Sequence, residues 1–489
     1  MTTPLRHRDD QLLRRPLRRR AALRSVVGAV TAAMLAATPW HLSAQVPGLS
    51  GRVVRPDDPA YEAARRDFNQ RFDVYPQAIV YCRTSADVAN AVAWARSQKL
   101  PLAVRSGGHS YEAFSLSSGL VVDLSDMSDV DVDQTRRRVV AQPGIRLLPF
   151  YRALAPYGLT VAGGTCEGVG LGGLTPGGGI GFLTRQWGAT IDNLIGLEMV
   201  DATGQVIRAD ESRNPDLFWA CRGGGGSFGI ITEMTFQASP VDDVTVIRME
   251  WPRDQVGRAL FAWQSLAPFW PDELTTSLDV NGPPSGSASL DGLYLGGTSA
   301  LQNVLAPLLA ASQPSRVDIT TMSYLESAER FSGQSKLPFF FKAKSDYALS
   351  PLEPEAVETI RDRLAASPDT VGQASTSVQF QAYGGAVNRV PADATAFPHR
   401  SALLSMQYLA HWSDPADESA SLTWIRDFYS AMGPFVSGYA YSNMCDLDLQ
   451  DWPHAYYGAN IDRLIQVKTR YDPSNLFRFA QSIPPDSAV

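Results

Sequence analysis

An α+β fold in at least two folding units is what this 489-residue sequence predicts, and three patterns carry the prediction. A strand–helix–strand alternation between Pro76 and Val104 runs directly into a glycine turn. Two glycine-dense stretches follow, at Gly163–Gly181 and Gly223–Gly229. Beyond Pro240 the chain turns to alternating apolar residues rich in Trp, Tyr and Phe. The length alone exceeds what one hydrophobic core serves.

The N-terminal residues read as a targeting segment. Arg14–Arg24 is strongly basic, a short apolar run covers Val26–Ala37, and Ser43-Ala44-Gln45 follows, which is the order of an export signal. The run falls short of the roughly 18 to 20 apolar residues of a membrane-spanning helix, so no membrane anchor is expected. Arg19-Arg20 with Leu23 resembles a degenerate twin-arginine signal, a route for folded cargo. Residues 1–44 are therefore assigned to export, periplasmic or extracellular, with a mature start near Gln45.

After a loop-like stretch from Pro47 to Pro59, Ala60–Phe68 has helical spacing and Pro76–Tyr81 reads as a strand. Ser85–Gln98 has the spacing of an amphipathic helix with Val88, Ala91, Val92 and Ala95 inward and Ser85 as its N-cap. Leu102–Val104 is a second strand, ending in Arg105-Ser106-Gly107-Gly108-His109. Together they form a β-α-β unit feeding a ligand loop. No low-complexity linker separates the glycine clusters, so residues 45–240 are taken as one nucleotide-binding unit. The alternation in Ser377–Tyr383 and Leu403–Leu409 predicts antiparallel strands with one face packed and one free, and sets residues 241–441 apart. The last segment, 442–489, has helical spacing at Ile461, Leu464, Ile465 and Lys468 that Asp472-Pro473 ends.

Composition excludes several partners. With 43 Lys and Arg against 50 Asp and Glu, the net charge is −7, and the mature part has no basic stripe for nucleic acid. Cys82, Cys166, Cys221 and Cys445 show no metal-site spacing and are too few for a disulfide scaffold. His109, His399, His411 and His454 are scattered, so no metal site is expected.

The motifs carry the chemistry. Gly107 and Gly108 open backbone conformations that let successive N–H groups turn toward one anion such as a pyrophosphate. His109 stands at the end of that turn, although a histidine after two glycines is, by itself, more often a surface residue. Gly168, Gly170 and Gly173 form a GxGxxG, but Pro176 and Gly177-Gly178-Gly179 follow at once. A helix opening there is expected to break, which argues against a Rossmann dinucleotide site. Glycines this dense instead let backbone press against a large planar ligand. Cys166 lies among them as a candidate reactive thiol, where a lone cysteine is usually a small buried hydrophobe.

RSGGHSYE, GGTCEGVGLGGLTPGGGIG, NPDLFWACRGGGGSFGIIT and YYGANIDRLIQVKTRYDPSNLF with QSIP resemble the berberine bridge enzyme-like family of the vanillyl-alcohol oxidase superfamily. The resemblance implies a two-part FAD-binding domain with an inserted substrate domain of antiparallel sheet and helices, and a C-terminal segment returning to the FAD domain. It implies an oxidase that takes hydride from a substrate hydroxyl (sugar, oligosaccharide or other alcohol) and passes electrons to O2, giving H2O2. FAD would be bicovalent, through His109 to the flavin 8-methyl group and Cys166 to ring carbon 6. Arg105, Ser106, Gly107, Gly108, Ser110, Gly170, Gly173, Gly177, Gly178, Gly179, Ile231, Tyr457 and Asn460 would complete the cofactor site. Val169 matches a position controlling oxygen access. Tyr111 and Tyr456 match tyrosines assisting deprotonation of the substrate, and Gln407 a position carrying Gln or Glu beside the flavin. Leu174 and Ile180 stand where relatives carry histidine and tyrosine, and Glu167 where proline is common. Oxidative cyclisation or desaturation on the same scaffold is the rival reaction, and a secreted glycan-binding protein the rival class. No residue pattern indicates an oligomeric state.

Overall fold

The computed structural model describes residues 48–332, 340–368 and 375–486; the export reading of residues 1–44 and the start near Gln45 lie outside them. Four strands, β1 (Arg52–Val54), β2 (Ala78–Tyr81), β3 (Leu102–Arg105) and β4 (Leu120–Asp123), form a sheet in the order β1-β2-β4-β3. The helix Ser85–Gln98 buries Val88, Ala91, Val92 and Ala95, as its spacing requires. Its N-cap is Thr84 rather than Ser85. The Asp87 N–H donates to the Thr84 hydroxyl while the Thr84 N–H donates to the Asp87 carboxylate, a reciprocal box one residue upstream of the expected cap. Strands β2 and β3 each pair in parallel with β4, which lies between them. The helix expected at Ala60–Phe68 is only Tyr61–Ala64. Tertiary contacts take over before its expected end, the Phe68 N–H donating to the Gly108 carbonyl at 2.8 Å.

Next along the chain come β5 (Val130–Asp133), β6 (Arg138–Ala141), β7 (Leu159–Thr160), β8 (Leu194–Val200), β9 (Val206–Ala209) and β10 (Ile230–Gln237). All but β7 form an antiparallel sheet in the order β5-β6-β10-β8-β9, and β7 pairs with β11 (Ser239–Pro240). Where proline and glycine predicted a break, Leu171–Gly177 is a short helix opening at Gly170. Pro176 lies inside this helix and has no N–H to give it, and the chain leaves the helix at Gly178 with φ 136°.

The large sheet holds β12 (Asp243–Trp251), β13 (Leu274–Asn281), β14 (Ala288–Tyr294), β15 (Arg316–Ser323), β16 (Phe340–Ala348), β17 (Ser375–Ala382) and β18 (Leu404–Trp412). Its order is β15-β12-β14-β13-β17-β18-β16, antiparallel throughout. Alternation decides its two faces. Leu278, Val280, Leu290, Val378, Phe380, Met406 and Tyr408 join a core with Trp263, Leu305, Ile360 and Phe428 from the helices Val256–Leu266, Thr298–Ser312, Pro354–Ala365 and Glu418–Met432. The residues between them on each strand (Ser277, Asp279, Asp291, Gln379, Gln381 and Gln407) face the other way. Arg185, fully buried, pins the segment below that face by donating to the carbonyls of Leu274, Pro268, Tyr383 and Trp270.

Candidate active site

A cleft of about 430 Å3 joins both glycine loops to the free face of the large sheet. Its first wall is backbone. A Cβ on Gly107 would overlap the main chain of Gly170, and a Cβ on Gly170 would overlap that of Gly107. Only glycine at both positions lets the RSGGH and GVGLGG loops touch, and that contact brings His109 and Cys166 to one cleft. Gly108 takes a left-handed φ of 67°, and the Ser106 hydroxyl ties the turn to the Pro143 carbonyl at 2.6 Å. Gly173 and Gly226 border open space, since a Cβ on either meets nothing within 4 Å.

The His109 ring stacks on Phe68 with centroids 3.9 Å apart and planes 19° apart. Burial, with the nearby Arg146 charge, pulls its pKa down to about 4, so the imidazole is neutral at pH 7 and keeps a lone pair. Cys166 is half-buried on the same cleft, and none of the four cysteines is in a disulfide.

The second wall is the sheet. Asp279, Gln379 and Gln407 stand directly opposite one another on β13, β17 and β18, with Gln379 Nε2 donating to Asp279 Oδ1 at 3.0 Å. Gln407 Nε2 donates to the Tyr111 hydroxyl at 3.0 Å, closing the row against the His109 loop. Burial pushes the Asp279 carboxyl up to about 7, opposed by the Gln379 hydrogen bond and reinforced by Asp291. Burial also raises the Tyr111 phenol well above its ordinary value.

The third wall comes from the C-terminal segment. The Tyr456 hydroxyl accepts from the Asp446 N–H at 2.9 Å and donates to Gln481 Oε1 at 3.2 Å, and burial raises its pKa. The Tyr441 oxygen accepts from the Gly179 N–H at 2.7 Å and Asn443 Nδ2 at 2.9 Å. Behind Tyr111, Lys342 pairs with Glu112 and Asp446, and Lys344 with Asp446 at 2.6 Å, locking this segment to β16. Further along, the helix Ile461–Tyr471 sends Lys468 into the interior, where Nζ donates to Ser227 O, Asp472 Oδ2 and Phe477 O at 2.7, 2.7 and 2.8 Å. That one ammonium holds the Gly223–Gly229 loop against the chain end.

Of the residues singled out from sequence, Ser106, Gly107, Gly108, His109, Ser110, Tyr111, Cys166, Val169, Gly170, Gly173, Ile231, Gln407, Tyr456 and Tyr457 line the cleft. Five do not. Arg105 pairs with Asp123 at 2.5 Å, its parallel neighbour on β4. Gly177, Gly178 and Gly179 turn toward Asn443, Tyr441 with Phe397, and Thr190, so the lack of a side chain here allows close packing of protein on protein. Asn460 Nδ2 is spent on the carbonyls of Ala392, Thr395 and Ala396. Sequence reasoning missed Asp279, Asp291, Gln379, Gln381, Tyr441 and Asn443. The polar alternates inside apolar strands, Ser277 and Asp279 between Leu274 and Val280, were the available signal.

These residues fit FAD. Side-chain-free backbone at Gly173 and Gly226 leaves a slot with apolar borders at Leu102, Phe228, Ile230 and Phe479, which suits a flat ring system and a dinucleotide. The comparisons agree with the geometry. The family model for an FAD binding domain matches residues 76–210, and the one described as Berberine and berberine like matches 440–484. The chain belongs to the berberine bridge enzyme-like family. An FAD-linked oxidoreductase of Bacillus subtilis, YgaK, is 39% identical to this family member, covering 89% of this chain and 97% of its own. The solved structure of Physcomitrella patens BBE-like 1 superposes with a TM-score of 0.84 at 30% identity, over 89% of this chain and 97% of that one. The grass pollen allergen Phl p 4, described as having glucose dehydrogenase activity, gives 0.81 at 30%, over 88% and 96%. A chitooligosaccharide oxidase gives 0.81 at 27%, over 89% and 98%. This berberine bridge enzyme-like protein is therefore an FAD-linked oxidoreductase. No helix among the described residues is long and apolar enough to cross a membrane.

Proposed function

We propose that the protein is an exported oxidase of hydroxyl groups on sugars, oligosaccharides or related small alcohols, with FAD joined to His109 and Cys166. The observation that carries this reading is the single cleft with both attachment residues at one end and a polar sheet face at the other. When bound, FAD supplies the hydride acceptor and passes the electrons to O2. The chain's own part is positioning. The neutral His109 imidazole keeps the lone pair that a covalent bond needs. Tyr111 and Gln407 form a hydrogen-bonded pair that can hold a substrate hydroxyl, and Tyr456 lines the same cleft, held by Asp446 and Gln481. Val169, on the cleft beside Cys166, is assigned to oxygen access. Sugar-acting structural neighbours support the substrate class; one is described as a dehydrogenase and one as an oxidase, so the acceptor rests on measurement. We also place the unit boundaries near residues 240 and 441, where the chain passes from β11 into β12 and returns beside Gly179.

Two measurements test the proposal. A sugar and alcohol panel followed by peroxide release should yield at least one substrate, and silence across the panel with an oxidised flavin present would remove the oxidase reading. Acid precipitation should leave the yellow colour with the polypeptide. His109→Ala and Cys166→Ala should each retain it through the remaining link, and the double variant should release free FAD. Colour entirely in the wild-type supernatant would reject covalent attachment.

A further inference from the structure

The far end of the polar row lies two strands away from the Tyr111–Gln407 pair, and its chemistry is specific. From Gln407 to Asp279 the row crosses two strand spacings, about 10 Å. That is longer than a single hydroxyl needs. The groups along it are amides and hydroxyls with one carboxylate: Gln407, Gln379, Asp279, and Ser277 and Ser289 on the flanking register positions. Amides both donate and accept, as substrate hydroxyls do, whereas an amine only donates and would leave the amide donors unmatched. Asp279 is the one acceptor-only group in the row, and Gln379 Nε2 on Oδ1 leaves its remaining lone pairs to be met from the cleft.

We propose that Asp279 is a specificity residue: it accepts hydrogen bonds from substrate hydroxyls held about two strand spacings from the Tyr111–Gln407 pair, so that the cleft selects polyhydroxylated substrates over simple alcohols. This rests on the sugar-oxidation reading above. The phenols nearby are poor substitutes as acceptors. Tyr441 already accepts two N–H bonds, and Tyr111 and Tyr456 each accept one while burial keeps them protonated. The charged groups facing Asp279 are Asp291 on β14 and, across it, Arg248 on β12, which lies 3.9 Å from Asp291. Because the carboxyl is pushed up to about 7, the fully accepting carboxylate forms as pH rises through neutrality. Affinity for a polyol should therefore strengthen over that interval.

The test uses the holoenzyme, titrated anaerobically with glucose, cellobiose and 1-hexanol, reading both the flavin spectral shift on binding and the limiting rate of flavin reduction. Asp279→Asn keeps the shape and replaces an acceptor by a donor. It should weaken sugar binding about ten- to a hundredfold, the loss of a charged hydrogen bond, with the limiting rate little changed. The variant should also lose the gain in sugar affinity between pH 6 and 8, and hexanol should be indifferent to it. Gln379→Met, which strips the partner of Asp279, should weaken sugars by a smaller factor and guards against a folding defect in the first variant. Unchanged sugar affinity in Asp279→Asn, or a fall confined to the limiting rate, overturns the proposal. So does hexanol binding as well as the sugars. Sugars that bind the wild type through Asp279 without reducing the flavin would instead sink only the oxidation reading.

Discussion

Replacing Lys468 by methionine removes one ammonium and keeps most of the stem, so its effect reports on the charge and its three bonds. Nζ is fully buried and serves two backbone carbonyls and one carboxylate. Each buried carbonyl left without its donor costs about 1–3 kcal/mol, and breaking a buried ion pair from one side costs about 3–5 kcal/mol. These losses overlap. Asp472 also keeps the N–H groups of Leu476 and Phe477 at 2.8 and 2.9 Å, which offset part of its stranded charge. A net loss of about 3–5 kcal/mol follows. A chain of this length has an unfolding entropy of roughly 1 kcal/mol/K, so the thermal midpoint should fall by about 3–5 °C. The damage should also have a direction. Ser227 belongs to the loop that lines the cleft through Gly226 and Phe228, and Phe477 lines it directly. Calorimetry at a fixed scan rate would give the midpoint, and flavin fluorescence the order of events, with the cofactor environment loosening before the large sheet melts. A midpoint within about 1 °C of wild type would refute the view that Lys468 holds these segments together.

Three further substitutions separate the roles of the glycines and of a buried acid. Gly107→Ala should push the two attachment loops apart and lower both flavin content and thermal midpoint, whereas Gly173→Ala, whose Cβ meets no protein atom, should lower flavin content alone; absorbance ratios and melting curves of the purified variants check both. Asp346, buried on β16, has its pKa raised by burial, which outweighs the opposing effects of the Tyr408 hydroxyl and the Lys344 charge. The folded chain holds this proton to higher pH than the unfolded chain, which ionises above about pH 3.9, so its contribution is fully present below that pH and is lost as pH rises toward the folded value. Asp346→Asn should therefore gain stability over wild type progressively as pH rises above about 4 in denaturant titrations, and a difference that does not change with pH would contradict the assignment.

The sequence was legible where a pattern is local. The helix at Ser85–Gln98 follows from apolar spacing, and the strands at β17 and β18 from alternation of period two. His109 and Cys166 stood out because glycine surrounded them. What stayed hidden was long-range. Asp279 meets Gln379 across a hundred positions, and nothing on β13 alone says which strand will lie beside it. Lys468 scanned as one more position on an amphipathic helix, though its ammonium is fully buried and ties three segments together. The helix at Leu171–Gly177 was missed because proline and glycine propensity argue against it, and tertiary packing overrode them. The dense glycines were read as contacts to a ligand. For Gly177, Gly178 and Gly179 they are contacts to neighbouring side chains.

The division of the large sheet into a helix-covered face and a cleft face has a consequence for how this protein can change. Leu278 and Phe380 are committed to the core, while Asp279 and Gln379, their immediate neighbours in the chain, hydrogen-bond to one another and line the cleft. Stability and selectivity are thus written on alternate letters of the same strands. A library confined to positions 277, 279, 291, 379, 381 and 407 could retune what enters the cleft while leaving the buried scaffold and both flavin anchors in place. Evolution had the same freedom, and a lineage of related enzymes could move from one substrate to another along these strands without first acquiring a more stable fold.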